Sequence, residues 1–213
     1  MKNGRSLDDL TNELERQLLT KRDMIVPTPL MSHATSEGGT TTISFSTPDG
    51  MQSFATTDNF RRQLADRLKI PYVYFERMRA KTPALLDENV DTWLKEEPEQ
   101  RLVRTLDGSA RAFLSDRYRR LDNFDLLQRI FPILHQIPGA RFESCQLTDS
   151  KMYLKVVAPA VTQEIRPGDI VEAGVVVANS ETGQGSLSVN QLVYRKVCSN
   201  GLILPDQGMR KTH

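Results

Sequence analysis

Cysteine and histidine are scarce in this chain, and long apolar runs are missing. The 213 residues include two cysteines, Cys145 and Cys198, and three histidines. The cysteines are far apart and form no CxxC motif, which disfavours both a disulfide framework and a zinc site. No apolar run approaches the roughly twenty residues that span a bilayer, and the segment MKNGRSLDDL lacks the apolar core of a secretory signal. We therefore expect a reduced cytoplasmic protein with no cofactor, metal or membrane partner.

The common catalytic signatures are also absent. The sequence contains no GxxxxGK[ST], GxSxG or HExxH motif. The stretch GQGSLS resembles part of a glycine-rich dinucleotide loop, but strand-like sequence follows it where a helix is required. We interpret it as a connection between strands. These absences favour a binding protein over an enzyme.

Charge is high but balanced, with 28 basic and 27 acidic side chains and a formal net charge of +1. The length suits one domain with small appendages. We predict an N-terminal helix in residues 1–22 and a single α+β domain in residues 23–213. The polar tail after a strand-like segment suggests that the natural chain continues past His213.

Helix and hairpin signals alternate along the chain. Ser6 is a predicted N-cap for an amphipathic helix, and we expect Asp58 or Asn59 and Asp122 or Asn123 to cap two later helices. Turn residues at Pro48-Asp49-Gly50, Asp107-Gly108 and Asp149-Ser150 predict three hairpins, and two further strand-like runs follow. Regular βαβ alternation is missing. This pattern predicts an α+β fold with largely antiparallel hairpins and interspersed helices.

The second hairpin and its exit carry a cluster of arginines. Between residues 101 and 120, six arginines face only Asp107 and Asp116, which gives a local net charge of +4. Phe113, Tyr118 and Phe124 lie among them. Guanidinium groups match phosphate oxygens, and aromatic rings stack on bases, so the pattern is typical of a single-strand nucleic-acid binder.

Two other interpretations of these residues stay open. A run of charge is usually a solvated face, and these arginines could also neutralise the acidic helix around residues 87–97. The NSETG segment could place Asn179 and Glu181 at a loop tip as ligands or acid/base groups, with Tyr194 and Cys198 nearby. Asn, Ser and Gly together are, however, ordinary turn residues.

Four stretches taken together resemble a phage/plasmid-like protein family that is known as a domain of unknown function. They are RQLADRLKIPYVYFERM, RTLDGSARAFLSDRYRRLDNFDLL, VVVANSETGQGSLSV and YRKVCSNGLI, and the resemblance covers most of the chain from about residue 23. Members of that family occur in phages, plasmids and prophages, and their chains commonly continue past the CxNG segment. The resemblance implies a mobile-element protein in the cytoplasm of a bacterial host cell.

A role in handling single-stranded DNA during recombination or annealing fits this setting. Phage single-strand annealing proteins are small α+β proteins with a hairpin platform, a basic groove and homo-oligomeric assembly, so the similarity is one of layout. We expect a homo-oligomer in which Tyr118 stacks on a base. The expected phosphate contacts are Arg104, Arg111, Arg117, Arg119, Arg120, Arg195 and Lys196. The alternatives are an enzyme that uses Asn179, Glu181, Tyr194 and Cys198, and a module that binds a host protein.

Overall fold

The structure is a computed structural model, and it describes residues 2–166, 169–195 and 211–212. Five α-helices and twelve strands lie within these residues. The helices are α1 (Leu7–Thr20), α2 (Asp58–Arg67), α3 (Tyr72–Lys81), α4 (Pro83–Glu96) and α5 (Asn123–His135). The first six strands are β1 (Lys2–Arg5), β2 (Arg22–Pro27), β3 (Ser32–Thr35), β4 (Thr41–Thr47), β5 (Gly50–Thr56) and β6 (Gln100–Leu106). The others are β7 (Ser109–Ser115), β8 (Arg141–Leu147), β9 (Met152–Arg166), β10 (Asp169–Asn179), β11 (Ser188–Arg195) and β12 (Lys211–Thr212).

The chain divides into two compact units, and each contains one six-stranded sheet. The central unit is Gln17–Arg119, and the terminal unit combines Met1–Arg16 with Arg120–His213. Nearly all neighbouring strands are antiparallel, which confirms the predicted α+β class. The division differs from the one expected from the sequence, in which residues 1–22 stand apart. Whether residues 23–213 fold as one domain stays a prediction.

The sheet of the central unit has the strand order β2-β6-β7-β5-β4-β3. Helices α2, α3 and α4 share with this sheet one apolar core, in which Phe60, Phe75, Val103 and Phe113 are almost completely buried. The β6–β7 hairpin also buries its opposite face, where Leu102, Ala112 and Leu114 form a second cluster. Away from its two ends, the hairpin therefore has little exposed surface on which to display its own charges.

The sheet of the terminal unit has the order β1-β8-β9-β10-β11-β12. Its core combines Leu10 and Leu14 of α1 with Leu126 and Leu127 of α5. Strands β8, β9 and β10 supply the remaining buried members of this core, which are Cys145, Met152, Leu154 and Val177. The leucine spacing in α1 therefore buries one helical stripe against the sheet, as the sequence predicts.

The helix starts and turns predicted from neighbouring residues agree with the structure apart from small errors. The Ser6 hydroxyl accepts from the Asp9 N–H at 3.1 Å, and the Asp9 carboxylate accepts from the Ser6 N–H at 3.3 Å, which is a reciprocal cap on α1. Asp107 and Gly108 have φ of 50° and 75°, as a two-residue primed turn requires. The prediction of Asp58 or Asn59 as the cap of α2 was wrong, because the hydroxyl of Thr57 accepts from the Phe60 N–H at 3.3 Å.

Gly174 lies in the middle of β10, between Val157 on β9 and Leu192 on β11. A Cβ added to Gly174 would stand 2.5 Å from the carbonyl oxygen of Val156. A backbone oxygen inside a sheet cannot move aside as a flexible side chain does. The terminal unit therefore requires glycine at this position.

Replacing Gly174 by alanine should destabilise the protein by roughly 1–3 kcal/mol, because the extra methyl group overpacks the sheet. Urea unfolding followed by circular dichroism measures this change. Gly185→Ala is the matched control, since its new Cβ would meet only the end of the Lys151 side chain at 3.5 Å. Equal stability of the two variants would contradict the close approach described for Gly174.

Candidate functional site

The predicted nucleic-acid segment begins where β7 ends at Ser115. The Ser115 carbonyl accepts from the Tyr118 N–H at 3.0 Å, and its hydroxyl accepts from the Arg117 N–H at 3.2 Å. The same hydroxyl donates to the Asp116 carboxylate at 3.2 Å. Ser115 thus fixes the turn that follows the hairpin, and we name this turn, residues 115–119, the hairpin exit.

Arg117 and Arg119 project from the hairpin exit into solvent. Within the described part of the chain, neither guanidinium group makes a hydrogen bond or an ion pair. Tyr118, between them, is half-buried and packs against the cluster of Leu102, Ala112 and Leu114. The two guanidinium groups are therefore accessible to an external anion. Part of the tyrosine side chain, by contrast, already contacts the apolar side chains of this cluster.

Two of the predicted phosphate ligands are not on the surface. Arg104 is completely buried, and its Nε donates to the Asp23 carboxylate at 2.8 Å. Arg111 is only 8% exposed, and its carbonyl accepts from the Asn59 side chain at 2.9 Å. The prediction that these two residues belong to a phosphate-contacting face was wrong, because both are buried.

The remaining basic residues of the prediction follow residue 119 in the chain. Arg120 is exposed. Arg195 is the last residue of β11, and its side chain lies outside the described residues, as does all of Lys196. The candidate site on the central unit therefore consists of Arg117, Tyr118 and Arg119.

Arg101 occupies the base of the same hairpin. Its guanidinium carbon lies 4.7 Å from the centre of the Phe113 ring, and its Nε lies 3.6 Å from the Glu99 carboxylate. Burial lowers the pKa of Arg101, Glu99 and Asp116 oppose this effect, and the positive charge of Arg67 adds to it. The Arg101 Nε is buried without a hydrogen-bond partner among the described residues.

Arg61 and Arg62 on α2 are, by contrast, paired with carboxylates. Arg61 donates to Glu76 at 3.1 Å, and Arg62 donates to Asp58 at 2.7 Å. The pKa of Asp58 is lowered by the hydrogen bond from Tyr72, at 2.5 Å, and by the one from Arg62. The charges of these two arginines are therefore compensated by carboxylates of the central unit.

The Asn179–Glu181 loop clamps the start of α5. The Glu181 carboxylate accepts from the Asn123 N–H at 2.6 Å. The Asn179 amide donates to the Leu121 carbonyl at 3.0 Å and to the Asn123 side chain at 2.9 Å. The Ser180 hydroxyl donates to the Ser150 carbonyl at 2.7 Å. A carboxylate at a helix N-terminus satisfies an otherwise orphaned N–H and complements the helix dipole.

The alternative catalytic set does not come together. Asn179 and Glu181 are 4% and 3% exposed, so neither projects from a loop tip as predicted. Tyr194 pairs with Glu172 across β10 and β11. Asn179 lies seven residues further along β10 than Glu172, roughly 23 Å at the usual rise of a strand. Cys198 lies outside the described residues.

A polar cluster that the sequence did not reveal surrounds Tyr194. Arg141 donates to the buried Glu172 carboxylate at 2.8 Å, and this hydrogen bond raises the pKa of Arg141. The Tyr194 hydroxyl donates to the Glu143 carboxylate at 2.9 Å, which raises the pKa of Tyr194. The four residues come from three strands, so no local spacing marks them. Their hydrogen bonds stabilise one face of the sheet.

The buried His33 and the partly exposed Asp87 join the edge strand β3 to α4. The Nδ1 atom of His33 lies 2.7 Å from the Asp87 carboxylate, which also accepts from the Thr35 N–H at 2.8 Å. Asp91, one turn later, accepts from the His33 N–H at 2.7 Å. These carboxylates satisfy the outward N–H groups of an edge strand. The His33 side chain has no exposed surface, so the pair is structural.

The described residues contain no group of three or more His, Cys, Asp or Glu side chains that could hold a metal ion. Among the same residues, no helix has the length and apolar character needed to cross a bilayer. In comparisons with known proteins, the chain matches no family model, no curated protein and no solved structure. Its membership of the phage/plasmid-like family stays a prediction.

Removing the Glu181 carboxylate should destabilise the terminal unit. We expect Glu181→Ala to cost roughly 1–3 kcal/mol, because the buried Asn123 N–H loses its acceptor. Glu181→Gln should cost less, since its amide oxygen can still accept. Chemical unfolding of both variants measures the difference, and an unchanged stability of Glu181→Ala would refute the clamp.

Acidification should weaken the central unit through His33. Burial lowers the pKa of His33 from its usual 6.5, against the opposing effect of Asp87, while Asp91 also raises it and Arg61 lowers it. As the pH falls, the unfolded chain therefore takes up the proton before the folded chain does. The stability contributed by neutral His33 is present above about pH 6.5 and is lost as the pH falls towards the lowered pKa. It amounts to about 1.4 kcal/mol for each unit by which the pKa is lowered.

This prediction is tested by measuring the free energy of unfolding at about pH 7.5 and at about pH 5.5. These values lie roughly one pH unit above and below the unperturbed histidine pKa. His33→Asn keeps a donor for Asp87 and should show a shallower pH dependence than the wild type. His135→Asn, on the exposed end of α5, is the control and should keep the wild-type slope. A wild-type slope in His33→Asn would contradict the assignment.

Proposed function

We propose that this chain is a mobile-element protein that binds single-stranded DNA in the cytoplasm of a bacterial host, in recombination or annealing. The observation that carries the proposal is the exposure of Arg117 and Arg119 at the hairpin exit, where no described carboxylate engages them. Phosphate oxygens are the natural acceptors for such guanidinium groups. The resemblance to phage and plasmid proteins supplies the setting.

The mode of binding follows from the chemistry of the hairpin exit. Two arginines on a turn follow a phosphate backbone without reading base edges, so sequence preference should be slight. The exposed part of the Tyr118 ring can stack on a base. Multiple copies along one strand fit the homo-oligomer that we expect.

An enzyme that uses Asn179 and Glu181 has less support. Both side chains are buried, and both hold the backbone at the start of α5. A protein-interaction module is a second candidate, because α3 exposes two large apolar side chains. Val73 is 84% exposed and Tyr74 is 50% exposed.

Fluorescence anisotropy with labelled single-stranded DNA over a salt series tests the proposal. Wild-type affinity should fall steeply with salt, because each neutralised phosphate releases counterion. The double variant Arg117→Ala/Arg119→Ala should bind weakly, and its slope of log affinity against log salt should be shallower by about 1.4, at about 0.7 for each phosphate.

A matched control removes the same charge elsewhere. Arg77 on α3 and Arg129 on α5 are exposed, and their side chains have no partner among the described residues. Arg77→Ala/Arg129→Ala should therefore keep the wild-type slope. Equal losses in the two double variants would mean that net charge alone drives binding, and no wild-type binding at low salt would reject the proposal.

A further inference from the structure

Arg101 lies at the base of the hairpin exit. Its Cα pairs with that of Ser115, the residue that fixes the turn carrying Arg117. Directly paired residues of antiparallel strands are only about 5 Å apart at Cα. The backbone of Arg101 therefore lies beside Ser115, where the hairpin exit that carries the two exposed arginines begins.

The orientation of Arg101 is fixed by packing rather than by hydrogen bonds. Its guanidinium lies over the Phe113 ring, at 4.7 Å from the ring centre, and Phe113 is 1% exposed. The Arg101 side chain keeps 14% of its surface accessible. A planar fork held on a rigid ring has lost most of its rotational freedom before any ligand arrives.

The carboxylate nearest to Arg101 is committed to another arginine. Glu99 accepts from the Nε of Arg67 at 2.5 Å, whereas the Nε of Arg101 lies 3.6 Å from the same oxygen. That separation is an ion pair without a hydrogen bond. Among the described residues, the guanidinium of Arg101 makes no hydrogen bond, so its positive charge is only partly compensated.

We propose that Arg101 is a third phosphate-binding arginine, and that its exposed terminal nitrogens donate to a phosphodiester oxygen of the strand held by Arg117 and Arg119. This inference rests on the proposed function. A bound anion would supply the hydrogen-bond acceptor that Glu99 does not provide for Arg101. The burial that lowers the pKa of Arg101 agrees with this, since a desolvated cation gains more from a phosphate than a hydrated one does.

The test measures single-stranded DNA binding over a salt series for Arg101→Ala, Arg101→Lys and the control Arg77→Ala. Arg101→Ala should weaken binding about tenfold at low salt and reduce the salt slope by about 0.7. Arg101→Lys keeps the charge without the fork, so it should keep the slope and still bind more weakly than the wild type. Arg77→Ala should match the wild type in both quantities.

The outcomes separate this inference from the proposed function. If Arg101→Ala behaves like Arg77→Ala while Arg117→Ala/Arg119→Ala loses binding, Arg101 is not a ligand and the proposed function stands. If the wild type shows no salt-sensitive binding, both fail. Thermal melting of each variant identifies a folding defect. If Arg101→Ala has such a defect, Arg101→Lys is the deciding variant, because it keeps the stem and the charge. Wild-type affinity in Arg101→Lys would overturn the role of the guanidinium fork.

Discussion

An arginine keeps its positive charge at every pH a protein meets, so the central unit must place each guanidinium against a carboxylate, a ring or water. Most of them are satisfied internally. Arg104 reaches Asp23, while Arg61 and Arg62 reach Glu76 and Asp58. This pairing leaves the hairpin exit as a place where positive charge meets solvent. The distribution of carboxylates, more than the count of arginines, therefore decides which surface can bind an anion.

The terminal unit meets a similar demand with its own groups. The N-terminus of α5 carries unsatisfied N–H groups, and the Glu181 carboxylate fills that need from a loop 58 residues away in the chain. Asn179 ties down the Leu121 carbonyl beside it. A buried carboxylate bonded in this way has a fixed position and is shielded from water. It therefore suits a structural role better than the role of an acid or base, which must exchange protons with a substrate.

The sequence anticipated what depends on neighbours in the chain. Ser6 as a cap, the Asp107-Gly108 turn and the antiparallel hairpins all follow from local residue chemistry. It failed for Arg104 and Arg111, because their burial depends on tertiary packing that neighbours in the chain do not encode. It also missed the pairing of Arg141 with Glu172, residues 31 apart that meet only when the strands of one sheet align. Charge spacing along a strand carries no information about what packs on it.

Modification of arginines by phenylglyoxal, read by mass spectrometry on the wild-type protein, tests the central claim most directly, because it needs no variant. In the absence of DNA, the exposed Arg117, Arg119, Arg77 and Arg129 should all react. With saturating single-stranded DNA, the account predicts protection of Arg117 and Arg119 and unchanged reaction of Arg77 and Arg129. Unprotected Arg117 and Arg119 in a DNA-bound protein would contradict it.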